Sequence, residues 1–168
     1  MAVKVVTDSL ADLPKDLAKK MGIEVVPLYV LFGQEEFKDG VTLKPDEFYA
    51  RLEEGTDFPK TAVPTVGEFA EVYDRIGKDA DGIVSIHLSS KVSGTFNSAQ
   101  QGAKAAKVDC PIEVVDSLQV TMAVGLIAVA AARAAEQGGT FEAVVKLAKD
   151  TATRSRSLAL MDTMEYLE

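Results

Sequence analysis

Short apolar runs alternate along the chain with segments in which apolar residues recur at helical spacing. Four runs rich in Val and Ile predict buried strands: Ala2–Thr7, Ile23–Phe32, Gly82–Leu88 and Ile112–Val115. These runs are continuous rather than alternately apolar and polar, which is typical of a parallel sheet covered on both faces. The pattern therefore predicts an α/β fold of three layers, α/β/α, with a mostly parallel sheet and right-handed crossovers.

Helical segments lie between these runs, and several have clear start or stop signals. The predicted helices are Pro14–Met21, Pro45–Glu54, one starting at Thr65 and ending at Ile76, one ending near Lys107, an Ala-rich helix ending at Glu136, and one from Thr140 to about Asp150. Thr65 and Glu68 have the spacing of a capping box, and Asp162 and Glu165 repeat that spacing near the end of the sequence.

Two shorter elements complete the pattern. Gly33–Glu35 is predicted to form a tight turn, so that Glu36–Lys38 returns as a short strand. Near the end of the sequence, Ser157–Met161 is predicted to be extended.

Hydroxyl and carboxylate side chains cluster where the predicted strands end. The clusters are Thr7-Asp8-Ser9, the segment SSKVSGTFNSA from Ser89 to Ala99, and Asp116-Ser117. Ligands of open α/β sheets bind outside the carboxyl ends of the strands, so we expect these clusters to share one edge of the sheet. Ordinary helix capping is the alternative explanation for any one of them.

Ser93-Gly94-Thr95 is the strongest candidate for a ligand site among these clusters. It precedes a predicted helix whose first backbone N–H groups lack intrahelical partners and carry the positive end of the helix dipole. There are more hydroxyls nearby than are needed to cap the start of one helix, and these hydroxyls add hydrogen-bond donors without a fixed charge. Such a site suits a small oxyanion, either a carboxylate or a phosphate.

Composition and charge restrict the class of protein. The 168 residues have a net charge of −8 and a pI of about 4.7, which argues against nucleic-acid binding and against attraction to anionic lipid surfaces. The single cysteine, Cys110, cannot form an internal disulfide, so we expect a reducing, cytoplasmic setting. The N-terminus lacks the features of a signal peptide, and the apolar stretch Thr121–Ala132 is shorter than the roughly 20 residues of a membrane span.

Most catalytic motifs are missing from the sequence. It contains neither the Gly-rich dinucleotide fingerprint, nor a P-loop, nor a G-x-S-x-G elbow. His87 is the only histidine, and its place inside a predicted strand favours a partly buried structural imidazole. One enzymatic alternative stays open: Asp8 and Asp116 could hold Mg²⁺ for phosphotransfer or hydrolysis, with the serine cluster beside them.

The chain as a whole resembles the DegV family of bacterial proteins. The resemblance rests on VVTDSLADLP, IEVVPLYVLF, KTAVPTVGEF, SSKVSGTFNSA, VVDS and the terminal DTMEYL, which occur in the family's order. It implies a two-lobed fatty-acid-binding protein, with residues 1–150 as the α/β N-terminal lobe and 151–168 as the start of a second lobe. Family members are non-catalytic subunits that carry a long-chain fatty acid, such as palmitate, to a separate fatty acid kinase for phospholipid synthesis.

The resemblance also implies which residues bind the carboxylate. The threonine of the family's T-x-x-P-[ST] loop is Thr61 here, and the serine of its S-G-T motif is Ser93. At 62 and 63 this chain has Ala and Val where Ser and Gln are commoner in the family. The family's second lobe supplies a head-group histidine that cannot be mapped onto this sequence, and His87 does not substitute for it by position.

Physical chemistry agrees with this interpretation. An acyl chain gains about 0.8 kcal/mol per buried methylene, whereas a buried carboxylate needs hydrogen-bond donors. Thr61, Ser93 and the N–H groups after Ser93 are predicted to supply them, with no catalytic residue, metal or other cofactor. Lys60 and Lys91 flank the two hydroxyls. They could attract the head group or the kinase, but lysines at such positions are more commonly solvated surface residues.

Overall fold

A computed structural model of the chain describes residues 2–55 and 58–160. Its strands are β1 (Ala2–Asp8), β2 (Ile23–Val26), β3 (Tyr29–Phe32), β4 (Glu35–Lys38), β5 (Lys60–Ala62), β6 (Ala80–His87) and β7 (Ile112–Asp116). Its α-helices are α1 (Lys15–Lys20), α2 (Pro45–Glu54), α3 (Val66–Ile76), α4 (Thr95–Ala105), α5 (Met122–Glu136) and α6 (Phe141–Arg154). Short 3-10 turns follow β1 and α3, at Ser9–Ala11 and Gly77–Asp79.

The larger sheet is parallel and has the strand order β2-β1-β6-β7. The carboxyl ends of its strands therefore meet at one edge, as the sequence predicted. The central strands β1 and β6 are almost wholly buried, which explains why their sequences are continuous apolar runs.

Helices cover both faces of this sheet, so the predicted three-layer α/β/α fold is confirmed. Alternate residues of β1 point to opposite faces: Val3 and Val5 pack with α1, α5 and α6, whereas Val6 packs with α3 and α4. The largest buried side chains on the second face are the aromatic rings of Phe69 and Tyr73 from α3.

The predicted single strand Ile23–Phe32 is wrong, because the chain breaks at Pro27-Leu28 into β2 and β3. Pro27 has no N–H for a sheet ladder, and Leu28 bonds outside both sheets: its N–H donates to Ser9 Oγ at 3.1 Å and its carbonyl accepts from Asp39 N–H at 2.9 Å. The break allows the chain to leave the parallel sheet. β3 then forms a second, antiparallel sheet in the order β4-β3-β5.

The C-terminal part of the described chain differs from the prediction. Helix α6 continues to Arg154, beyond the predicted end near Asp150. Residues 157–160 pair with no described strand, and Leu158 and Leu160 are exposed, so the extended backbone expected there stays a prediction. Met161 and the predicted capping box at 162–165 lie outside the described residues. The division into residues 1–150 and 151–168 stays a prediction.

Candidate functional site

The segment Ser89–Gly94 leaves the carboxyl end of β6 and leads into α4. Backbone hydrogen bonds curl it into a compact loop, since the N–H groups of Val92 and Ser93 donate to the carbonyl of Ser89 at 3.0 and 3.1 Å. The Ser89 N–H itself donates to the Gln119 carbonyl at 2.9 Å, which ties the segment to the loop after β7. The segment therefore lies at the predicted edge of the sheet with a defined backbone.

Ser93 takes part in the start of α4. Its Oγ accepts a hydrogen bond from the Thr95 N–H at 3.2 Å and lies 2.9 Å from Thr95 Oγ1. Ser93 is half-buried, whereas Thr95 is fully buried. The capping interpretation therefore explains part of this cluster, and Ser93 remains only half-buried.

Thr61 was expected in a loop, but it lies in β5, the strand that pairs antiparallel with β3. The expectation failed because Lys60–Ala62 is too short to show a strand pattern, and only the partner strand β3 defines it. In the register of this pair, Thr61 is opposite Val30, which is buried. Thr61 itself is exposed.

The residues just after Thr61 pack against the start of α4. A Cβ added to Gly94 would lie 3.9 Å from Val63 Cγ1, and Ser98 Oγ donates a hydrogen bond to the carbonyl of Pro64. The two segments that carry Thr61 and Ser93 are thus neighbours, although about 30 residues separate them in sequence.

Glu68 anchors the segment after Thr61. The predicted capping box is confirmed: Glu68 N–H donates to Thr65 Oγ1 at 3.2 Å, and Thr65 N–H donates to Glu68 Oε2 at 3.0 Å. Glu68 Oε1 also accepts from Tyr29 Oη and from Lys38 Nζ, which joins α3 to β3 and β4. Partial burial disfavours ionisation, but the hydrogen bonds from Tyr29, Lys38 and Thr65 outweigh it and lower the pKa of Glu68 to about 2.

A chain of four fully buried polar side chains runs inward from the carboxyl end of β1. Asp8 Oδ2 lies 2.9 Å from His87 Nδ1, His87 Nε2 lies 2.7 Å from Ser85 Oγ, and Ser85 Oγ lies 2.9 Å from Tyr73 Oη. Burial of the phenol raises the pKa of Tyr73. The expectation of a partly buried His87 therefore understated its burial, because β6 is covered on both faces.

This chain of side chains was not found by sequence reasoning, although a signal existed. Ser85 and His87 are two residues apart and so share one face of β6, and Asp8 ends the neighbouring parallel strand. Asp8, His87 and Ser85 also have the order of a hydrolase triad. However, Ser85 is wholly buried and its Oγ is bonded to Tyr73, so no acyl group can reach it.

The two carboxylates proposed for Mg²⁺ have other partners. Asp8 accepts backbone N–H groups from Leu10 and Leu88 at 3.1 Å each, in addition to His87. Asp116 Oδ1 accepts the N–H groups of Ser90 and Leu118 at 3.2 and 3.0 Å. Within residues 2–55 and 58–160, no group of three or more His, Cys, Asp or Glu side chains could hold a metal ion. These contacts favour structural roles for both aspartates.

Apolar side chains are exposed in the segments that form or adjoin this edge of the sheet. They belong to the segment after Thr61, to the Ser89–Gly94 segment, and to the loop and first turns that follow β7: Val63, Val92, Leu118, Met122 and Leu126. None of the described helices is long and apolar enough to span a bilayer, and the apolar helix α5 has only 15 residues.

Sequence comparison identifies relatives along the whole chain. A family model described as "Uncharacterised protein, DegV family" matches residues 2–168. A DegV domain-containing protein of Caldanaerobacter subterraneus is 39% identical over 165 residues, which cover 98% of this chain and 58% of that protein. Protein DegV of Bacillus subtilis is 32% identical over 170 residues, which cover 100% of this chain and 60% of that protein. The chain thus spans less than two thirds of the length of these relatives.

Structural comparison gives the same result. DegV from Bacillus subtilis, described as a fatty acid binding protein, superposes with a TM-score of 0.86 and 32% identity over 91% of this chain and 54% of that one. A DegV family protein from Thermus thermophilus, described for its fatty acid binding, has a TM-score of 0.83 and 35% identity over 91% and 54%. A stearic acid-binding protein from Eubacterium ventriosum has a TM-score of 0.78 and 32% identity over 86% and 51%. The family match over nearly every residue and the shared fold establish that this chain belongs to the DegV family.

Proposed function

We propose that this chain binds a long-chain fatty acid through its carboxylate, which the hydroxyls of Thr61 and Ser93 hold. It then presents the bound acid to a separate fatty acid kinase, for phosphorylation and entry into phospholipid synthesis in the cytoplasm. The chain is a binding subunit and not the enzyme. The hydrogen bond from Ser98 Oγ to the carbonyl of Pro64 carries the proposal, because it joins the start of α4, next to Ser93, to the segment after Thr61.

The hydrogen bonds around Ser93 favour a free donor for the carboxylate. Thr95 is buried and its hydroxyl lies 2.9 Å from Ser93 Oγ, and we infer that the Thr95 hydroxyl is the donor, because a buried O–H needs an acceptor. The Thr95 N–H donates to the same oxygen. Both lone pairs of Ser93 Oγ are then used, and its own O–H remains to donate to a ligand.

The start of α4 adds to this donor set. The first N–H groups of a helix have no intrahelical acceptors, and the dipole favours an anion there. A carboxylate beside Ser93 would be held by these N–H groups and by neutral hydroxyls, which leaves its oxygens accessible to a phosphorylating enzyme. Lys60 and Lys91 are both exposed and can contact solvent or a partner.

The exposed apolar side chains at this edge suit the acyl chain. A ligand that covers Val63, Val92 and Leu118 would gain about 0.8 kcal/mol for each methylene it buries. The relatives described as fatty acid binding proteins, and the one described as binding stearic acid, support this class of ligand.

Lipid extraction and affinity measurements test the proposal. The full-length protein purified from bacteria should release a long-chain fatty acid on denaturation, detected by mass spectrometry. Thr61→Ala and Ser93→Ala should each weaken palmitate binding about tenfold or more, since a hydrogen bond to a charged group is worth about 1.5–3 kcal/mol.

A neighbouring hydroxyl provides the matched control. Ser90 is exposed and lies in the same segment as Ser93, so Ser90→Ala should change palmitate affinity by less than about twofold. With the loaded protein, ATP and the kinase, acyl phosphate should form, and the Thr61→Ala, Ser93→Ala double variant should abolish it. A lipid-free protein, or a double variant that binds palmitate normally, would refute the proposal.

A further inference from the structure

The buried side chains Asp8, His87, Ser85 and Tyr73 form a hydrogen-bonded chain, and the acceptor role of Asp8 favours one order of protons along it. Asp8 accepts two backbone N–H groups with its carboxylate oxygens, so it acts as an acceptor and His87 Nδ1 carries the proton between them. His87 Nε2 is then an acceptor for the Ser85 hydroxyl, and Ser85 Oγ accepts from the Tyr73 hydroxyl. Every donor points in one direction, from Tyr73 to Asp8.

This ordered chain touches the segment that carries Ser93. Asp8 Oδ2 accepts both the His87 Nδ1–H and the N–H of Leu88, at 2.9 and 3.1 Å. Leu88 is the residue immediately before the Ser89–Gly94 segment. The bond to Asp8 therefore sets the direction in which that segment leaves β6.

The same imidazole touches the helix that follows Thr61. The ring of Phe69, in the first turn of α3, meets the His87 ring edge to face, with centroids 5.1 Å apart and planes at 81°. Phe69 directly follows Glu68. Glu68 and Thr65 form the capping box at the start of α3, the helix that follows the Thr61 segment in the chain. His87 is thus in contact with one segment through Asp8 and with the other through Phe69.

We propose that Asp8 and His87 are positioning residues for the ligand: their ordered hydrogen bond sets the placement of the Ser93 hydroxyl relative to the Thr61 hydroxyl. This inference rests on the proposed binding of a fatty acid carboxylate. A site needs its binding groups held within about 0.5 Å by supporting hydrogen bonds, because a looser arrangement loses affinity without losing the fold. Neither residue touches the ligand.

Nuclear magnetic resonance tests the proton order directly. Selective ¹⁵N labelling of histidine reports His87 as the one imidazole of this chain. The two ring nitrogens should show the Nδ1-protonated, Nε2-unprotonated tautomer. A proton on Nε2 would overturn the inference, and this measurement needs no substitution.

Palmitate affinity tests the positioning role. Asp8→Asn places an amide N–H₂ against the N–H groups that now donate to the Asp8 carboxylate. We expect this substitution to weaken palmitate binding about tenfold in the full-length protein. His87→Leu should have a similar effect. His87→Asn should recover most of the lost affinity, because its amide can donate to Asp8 from the place of Nδ1–H.

A packing variant separates positioning from loss of stability. Val144 in α6 is fully buried on the opposite face of the sheet, so Val144→Ala should lower the melting temperature without moving either ligand segment. We expect its palmitate affinity to stay within about twofold of the unsubstituted protein. Equal losses in Asp8→Asn and Val144→Ala, or none in Asp8→Asn, would overturn the positioning role alone. Absence of palmitate binding in the unsubstituted protein would instead overturn the proposed function, and this inference with it.

Discussion

Glu68 joins three elements beside the candidate site, and its removal should produce a stability change that depends on pH. Its carboxylate accepts from Thr65 at the start of α3, from Tyr29 of β3 and from Lys38 of β4. In Glu68→Gln the capping hydrogen bonds can persist, because Gln is also an acceptor at this helix position. The substitution therefore removes mainly the negative charge.

The size of the effect follows from the exposure of the ion pair. Lys38 Nζ lies 2.9 Å from Glu68 Oε1, with the two side chains 42% and 26% exposed, so this pair contributes at most about 1 kcal/mol. The charge also strengthens the hydrogen bond from Tyr29, which adds roughly 0.5–1 kcal/mol. At neutral pH, Glu68→Gln should lower the free energy of unfolding by about 1–2 kcal/mol.

The sign of the pH dependence follows from the lowered pKa of Glu68. A carboxyl group with a pKa of about 2 in the folded protein and 4.5 when unfolded contributes its full stabilisation above pH 4.5 and loses it as the pH falls toward 2. The difference between the unsubstituted protein and Glu68→Gln should therefore be constant from pH 7 to about 5 and should shrink below that.

Urea unfolding followed by circular dichroism between pH 3 and 7 measures this difference. Glu71 is exposed on the same helix, so Glu71→Gln should change stability by less than about 0.5 kcal/mol at every pH. Equal effects of the two substitutions, or a Glu68→Gln deficit that does not decrease at pH 3, would refute the reasoning.

Three further substitutions test the packing. Among the described residues, Thr7 has a buried hydroxyl oxygen with no hydrogen-bond partner, so the nearly isosteric Thr7→Val should raise the free energy of unfolding by about 1 kcal/mol, and a lower midpoint in urea would contradict this. A Cβ at Gly102 would lie 2.4 Å from Phe69 Cβ, so Gly102→Ala should destabilise by about 1–3 kcal/mol through the contact between α3 and α4, as read from the melting temperature. Gly22 has a φ of +62° and open space around it, so Gly22→Ala should cost only about 1 kcal/mol from backbone strain. If the two substitutions lowered the stability equally, close packing would not explain the effect at Gly102.

The sequence alone predicted those features that depend on neighbouring residues. The capping box at Thr65, the helix Pro45–Glu54 and the buried strand that contains His87 are signals within a few residues, and the structure confirms all three. Where a local signal was missing, prediction failed: Lys60–Ala62 became a strand only because β3 lies beside it.

The candidate site shows the same division. Ser93 could be selected from its place between a strand and a helix, and the family resemblance added Thr61. Their two segments are brought together by contacts that no local pattern specifies, such as the hydrogen bond from Ser98 Oγ to the Pro64 carbonyl. That Thr61 and Ser93 bind the same carboxylate stays a prediction, which the binding experiments test.

The main helices, the three-layer fold and the polar strand ends were determined by the sequence itself, because periodicity, capping and turn chemistry act over a few residues. Tertiary structure alone decided that Asp8 meets His87, 79 positions further along the chain, and that the Pro27 break sends β3 into a second sheet. The physical reason is that such contacts depend on strand register and helix packing, which the whole core sets together.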